Sequence, residues 1–192
     1  MGRTQTFNTA EVVRAARTVF WEQGFEAASL PELEQATGLS RSSLYHAFGN
    51  KRGLFDAAVE SYLVEIIRPR LLPLTTAPVA PGAVIDYFTS LRAGLARSES
   101  LPASRGCLLV NAAGAPIAND DAVSDTIAGY RKELQTALDS GLAAHRGDLD
   151  EARRRQLATI LGSLVVAAMA LARVDSKQAV ATVDAALELL NH

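Results

Sequence analysis

Between Ser40 and Lys51 the chain reads SRSSLYHAFGNK, where only Leu44 and Phe48 offer apolar anchors, one helical turn apart. If those two face a core, Ser42 and His46 fall on the opposite side of the helix, with Ser43 and Tyr45 on its flanks and Arg41 at its exposed N-terminal end. That face offers a guanidinium for guanine edges, hydroxyls for bases or phosphates, and an imidazole. Phosphates have further candidates in Lys51, Arg52, the Tyr45 hydroxyl and the free N–H groups of helix starts at Ser29 and Ser40. From Ser40 to Gly53 there are three basic residues, Arg41, Lys51 and Arg52, and no acid, a local charge of about +3. Glu11, Glu22, Glu26, Glu32, Glu34 and Asp56 cancel that excess over residues 1–56, so affinity for a polyanion must come from placement and from two copies of the unit. Taken singly, Tyr45 is equally a packing residue, His46 a solvated polar group and Lys51 a first-turn charge; the spacing is what argues for nucleic acid.

Three short helices must position these residues. From Thr9 to Gln23, Val12, Val13, Ala16, Val19 and Phe20 keep the spacing of one buried stripe, with Asn8 or Thr9 as cap and Gly24 as stop. Ser29-Leu30-Pro31-Glu32 is a capping box with proline in the first turn, opening a helix that carries Leu33 and Ala36 inward and ends at Gly38. Ser40 then caps the helix described above, and Gly49-Asn50 ends it. A Gly-containing turn between the second and third helices is the helix-turn-helix arrangement, whose last helix enters the DNA major groove.

The 192 residues are 48% hydrophobic and 21% charged, with a net charge of −2, which places the chain in the globular class and leaves any nucleic-acid case local. No run alternates with the period of a strand, so the fold class is all-α, with about nine helices. The domains expected are 1–50, the helix-turn-helix unit, and 51–192, a helical bundle. The fourth helix runs from Lys51 to Pro69, and RPRLLPLTTAPVAPG, with four of the seven prolines, reads as a linker or irregular corner. Helices follow near 82–97, 105–114, 120–145, 150–173 and 176–190. The N-terminus lacks an apolar leader core, and the best membrane candidate, Leu157 to Val174, is short and diluted by Thr159, Gly162 and Ser163; a cytoplasmic location without membrane attachment is expected. Neither a Gly-rich phosphate loop nor a Ser/His/Asp arrangement is present. His46, His145 and His192 lack metal-ligand spacing, so no cofactor, no metal site and no catalytic group are expected.

Residues 7–62, FNTAEVV through LFDAAVESY, resemble the DNA-binding domain of the TetR family of bacterial repressors. The matching elements are Gly24-Phe25-Glu26-Ala27-Ala28-Ser29, Ala36-Thr37-Gly38-Leu39-Ser40, Leu44-Tyr45-His46-Ala47-Phe48 and Lys51. The pattern departs at Ala47, where relatives often carry histidine, which removes one candidate contact. The resemblance implies a repressor, not an enzyme: a homodimer on a near-palindromic double-stranded DNA operator, released by a small-molecule effector bound in the C-terminal domain. It implies phosphate contacts by Tyr45 and Lys51, and base-edge approach by Arg41, Ser42 and Ser43.

The helix at 150–173 is apolar on nearly every face and needs partners on more than one side. With 176–190 it can form a four-helix dimer interface, where Gly162, Ser163, Ala167 and Ala168 permit close approach; it can also be the core helix of one subunit. Tyr62, Tyr87, Phe88, Leu91, Leu108, Tyr130, Leu134 and Met169 are candidates for an apolar effector pocket. Cys107, in SRGCLLVNAAG, has Arg105 nearby to lower its pKa; the GCL element is similar to that of a TetR subgroup, some of whose members sense electrophiles or oxidants. The same cysteine can be an inert buried hydrophobe. The alternative function is a small-molecule carrier or thiol-dependent enzyme with a vestigial helix-turn-helix, which requires a base beside Cys107.

Overall fold

The computed structural model describes residues 7–97 and 100–191. His192 and the start of the N-terminal segment weighed as a leader lie outside them. The N-terminal unit is α1 (Thr9–Ala27), broken at Gly24, then α2 (Leu30–Thr37) and α3 (Arg41–Phe48). Asn8, Ser29 and Ser40 cap them as expected, and Gly38 closes α2 in the left-handed conformation, φ 68°, that only glycine adopts at little cost. Leu33 and Leu44 are fully buried beside Phe20 and Phe55, whose rings meet edge to face at 5.2 Å. Burying each such leucine contributes about 2 kcal/mol, enough to pin helices too short to persist alone.

The fourth helix departs from expectation. α4 (Lys51–Tyr62) passes through a π turn (Leu63–Ile67) into α5 (Arg68–Thr75), so Pro69 does not end the helix and Arg68 to Thr75 is no linker. The Arg68 N–H bonds the Leu63 carbonyl five residues back, and this wider turn lets Pro69 enter at the start of the next helix, where a missing N–H matters least.

The bundle continues with α6 (Ala83–Ala96), a short α7 (Leu101–Arg105), α8 (Leu108–Ala113), a 3₁₀ turn (Pro116–Asn119), α9 (Asp121–His145), α10 (Glu151–Leu171) and α11 (Ser176–Asn191). The expected helix at 105–114 is thus two pieces, parted at Gly106 and Cys107. α10 is long and apolar enough to cross a membrane by length and composition. Its inner face is nevertheless protein core: Ala158, Leu161, Val165 and Ala168 are buried, Arg131 of α9 reaches the Gly162 carbonyl at 3.1 Å, and Arg154 pairs with Asp139 at 2.9 Å. The His145 ring lies between the Pro81 and Leu190 carbonyls, tying α9 to both neighbours.

Among the described residues the outer face of α10 has no such cover. Ile160, Ser163, Ala167 and Ala170 recur every third or fourth residue and are exposed, and Val174, in the turn just past the helix, is exposed at 86%. Alongside, α11 exposes Ala181, Ala185 and Leu189. Of the four small residues expected at a subunit contact, Ser163 and Ala167 lie on this stripe. Gly162 and Ala168 are instead buried against the chain's own helices, because they fall on the other side of the helical wheel.

Candidate nucleic-acid interface and the cavity behind it

α3 turns Leu44 into the core and leaves Arg41, Ser42 and His46 exposed, with Ser43 and Tyr45 half-buried on the flanks. The Ser40 hydroxyl accepts from the Ser43 N–H at 3.3 Å and lies 3.0 and 3.1 Å from the Ser42 and Ser43 hydroxyls, so the first turn is a cluster of mutually oriented hydroxyls. The Arg41 guanidinium lies over the Tyr45 ring at 5.2 Å, which holds the long side chain along the exposed face.

Sequence reasoning missed two features. Glu34, on α2, accepts the Arg41 backbone N–H at 2.5 Å, placing a carboxylate at the α3 N-terminus, where an anion is favoured. Lys51 is not a free first-turn charge: its ammonium stacks over Phe25 at 4.7 Å and donates to the Glu26 carbonyl at 3.4 Å, and burial pushes its pKa below the usual lysine range. One of its three donors is therefore used inside the domain, and the rest are aimed by that bond. Ser29 is likewise engaged, donating to Glu32 at 2.6 Å in the capping box, which lowers the Glu32 pKa.

This face is braced to the bundle. The Glu26 carboxylate accepts from the Ile117 N–H at 2.7 Å, and Arg52 joins Asp56 at 2.8 Å and Asp120 at the start of α9. Trp21, 4% exposed on α1, donates its indole N–H to the Gly106 carbonyl at 3.1 Å and meets the Tyr62 ring edge to face at 4.9 Å.

Behind Trp21, among α4 to α6, α9 and α10, lies a cavity of about 470 Å³. Of the expected pocket residues, Tyr62, Tyr87, Leu91, Cys107, Tyr130 and Met169 line it. Phe88, Leu108 and Leu134 do not; they are buried in the packed core, Phe88 and Leu108 because each follows a lining residue and turns about 100° away from it. Among the residues missed are Ile67, Arg70, Leu71 and Asp86; Arg70 and Leu71 are hidden because Arg68 to Thr75 reads as linker rather than helix, and Ile67 because the π turn brings it round to the cavity side.

Cys107 is 2% exposed. Burial pushes its thiol above the usual cysteine pKa, opposed by hydrogen bonds with the Tyr62 and Tyr130 hydroxyls and the N–H groups of Val110 and Leu109. Arg105, expected to lower the pKa, is exposed and plays no part. The raised pKa keeps the thiol protonated at neutral pH, and the thiolate forms only as pH climbs past the ordinary thiol range. Alkylation of Cys107 by iodoacetamide is therefore expected to be slower than that of a free thiol at neutral pH and to accelerate at a higher pH than the free thiol does. A rate equal to the free thiol's at neutral pH would contradict this.

Comparison with known proteins supports what the geometry suggests. Residues 12–58 match the family described as "Bacterial regulatory proteins, tetR family". The chain is 34% identical to the TetR family transcriptional regulator CifR, solved as a cysteine mutant with 26-base-pair double-strand operator DNA; the match covers 97% of this chain and 98% of that one at a TM-score of 0.76. It is 32% identical over 153 residues to the HTH-type transcriptional regulator YezE of Bacillus subtilis, covering 78% of this chain and 77% of YezE. It is 33% identical over 111 residues, 57% of this chain and 51% of the relative, to the HTH-type transcriptional repressor ComR of Escherichia coli. The chain belongs to the TetR family and is a DNA-binding transcriptional repressor, not an enzyme. The alternative of a thiol-dependent enzyme with a vestigial helix-turn-helix is thereby overturned; physically, the groups that hydrogen-bond Cys107 are the Tyr62 and Tyr130 hydroxyls and two backbone N–H groups, with no base among them, and the caps of α2 and α3 are intact.

Proposed function

We propose that the protein acts as a cytoplasmic homodimer on a near-palindromic operator and is released by a small-molecule effector held in the cavity. Two copies of α3 enter successive major grooves about 34 Å apart. Arg41, Ser42, Ser43 and His46 approach base edges. Tyr45, Lys51 and the N-terminal turns at Ser29 and Ser40 meet phosphates. The subunits join through α10 and α11. The observation that carries the reading is the exposed face of α3, held by caps and braces, in a chain alike over its whole length to CifR, whose structure holds operator DNA.

Release follows from the bracing. The cavity wall at Gly106 and Cys107 is bonded to α1 through Trp21, and the segment that follows it meets Glu26 and Arg52. An occupant that prefers a shifted wall also favours a shifted α1, and so an α3 spacing that no longer fits the duplex. Substantial release needs several kcal/mol of preference between the two states.

Fluorescence anisotropy on the DNA upstream of the protein's own gene tests the proposal. Arg41→Ala is expected to cost about 1–3 kcal/mol at one base position and to relax the preference there. Lys51→Ala should weaken all sequences alike and flatten the salt dependence by roughly one ion. No sequence-selective binding at moderate salt would remove the proposal; equal effects of the two substitutions would overturn the assigned roles.

A further inference from the structure

The π turn decides which residues face the cavity. Tyr62 and Ile67, five apart, would point about 140° away from each other on an unbroken α-helix, yet both line the cavity, because one π turn spans that interval. Three and four residues on, Arg70 and Leu71 fall on the same side. Pro69 opens the helix that carries Arg70, where its missing N–H costs little, and Pro73 lies inside it.

Arg70 is a cation at the mouth of a mostly apolar chamber. Among the described residues its guanidinium makes no ion pair and no hydrogen bond, whereas Arg14, Arg52, Arg68, Arg92 and Arg154 all have carboxylate partners. The Tyr87 hydroxyl also lines the cavity without a hydrogen bond, close enough to Arg70 to feel its charge. Asp86, the nearby acid, leans back over Gly82 at the N-terminus of α6, where the helix dipole favours it. A free guanidinium and a free phenol thus share a cavity whose apolar walls include Ile67, Leu71, Leu91 and Val165, with the Tyr62 and Tyr130 hydroxyls turned to Cys107.

We infer that the cavity takes a carboxylate with a single apolar body, its head held by Arg70 and the Tyr87 hydroxyl at the mouth and its body lying between α5, α6 and α10. This rests on the effector reading above and names its ligand class. One cation compensates one charge: a phosphate monoester would leave its second charge uncompensated beside Asp86 and the apolar wall, which is costly. Arg–carboxylate geometry is fork to fork, so a neutral head of the same size forfeits the charge-assisted bonds.

The full-length protein is titrated calorimetrically with hexanoate, octanoate and decanoate, and with the alcohols and amines of the same lengths. At the best length the acid is expected to bind about tenfold or more tighter than the alcohol, the difference expected of charge-assisted hydrogen bonds. Arg70→Gln should erase that preference by weakening the acid far more than the alcohol, with the melting temperature retained because Arg70 is exposed; Tyr87→Phe should weaken the acid by a few-fold. Alcohols or amines that bind the wild type as well as the acids do, acids that bind no better than alcohols at any length, or an Arg70→Gln variant that keeps the preference, each overturn the inference. The effector reading fails separately, if cavity ligands bind and leave operator affinity unaltered.

Discussion

Ala167→Glu is expected to give folded monomers that bind the operator about 10²- to 10⁴-fold more weakly, the loss that follows when two linked sites become one. Ala167 lies mid-stripe on α10, between Ser163 and Ala170, where none of the described residues covers it. On a solvent-facing helix such a change shifts stability by less than about 0.5 kcal/mol. At the centre of a helix-on-helix contact it buries a carboxylate with no partner, which costs several kcal/mol and is counted twice by two-fold symmetry. Light scattering reads the mass, circular dichroism the helix content and anisotropy the operator affinity. A dimer that survives with full affinity would show that the subunits meet elsewhere. Ala167→Ser keeps the small volume and should behave as wild type.

Gly106→Ala should cost roughly 3 kcal/mol or more, read as a fall in the urea midpoint. Two constraints coincide there. The backbone is at φ 67°, ψ −132°, a conformation essentially closed to residues with a side chain, and a Cβ would be driven into the Met169 carbonyl on α10. Relief requires α10 to back away, which opens the cavity wall and moves the carbonyl that Trp21 holds. The variant should therefore lose operator affinity as well as stability. Gly129→Ala is the internal control: on α9, with open space around it, it should be neutral or stabilising by up to about 1 kcal/mol. A Gly106→Ala protein within about 0.5 kcal/mol of wild type would contradict the packing described, since surface-like tolerance is the mark of an unconstrained site.

The DNA-facing unit was legible because its signals are local. A capping box at Ser29, a left-handed glycine at Gly38, a cap at Ser40 and the Leu44–Phe48 interval each act within a turn or two of chain, so residue types alone set the helix limits and the exposed face of α3. The same locality gave the stripe of α1 and the helical character of the bundle. The fourth helix hides from the sequence for a related reason: Pro69 and Pro73 are strong local breakers, and only the packing of α5 against α9 and α6 makes a π turn preferable to a corner. With α5 read as a corner, Arg70 and Leu71 carry no sequence signal as cavity residues, and Ile67 joins them only through the π turn.

By itself, then, the sequence determined an all-helical chain, a helix-turn-helix with Arg41 to His46 outward, and its family. Tertiary structure alone decided which of the apolar residues enclose space and which fill it, that Lys51 is tied to Glu26, and that Trp21 carries the cavity wall to α1. Periodicity reports which side of one helix avoids water. Whether that side meets a neighbour or a void depends on where distant helices come to rest, and those contacts, such as Trp21 with Gly106, have no signature in either partner's local sequence.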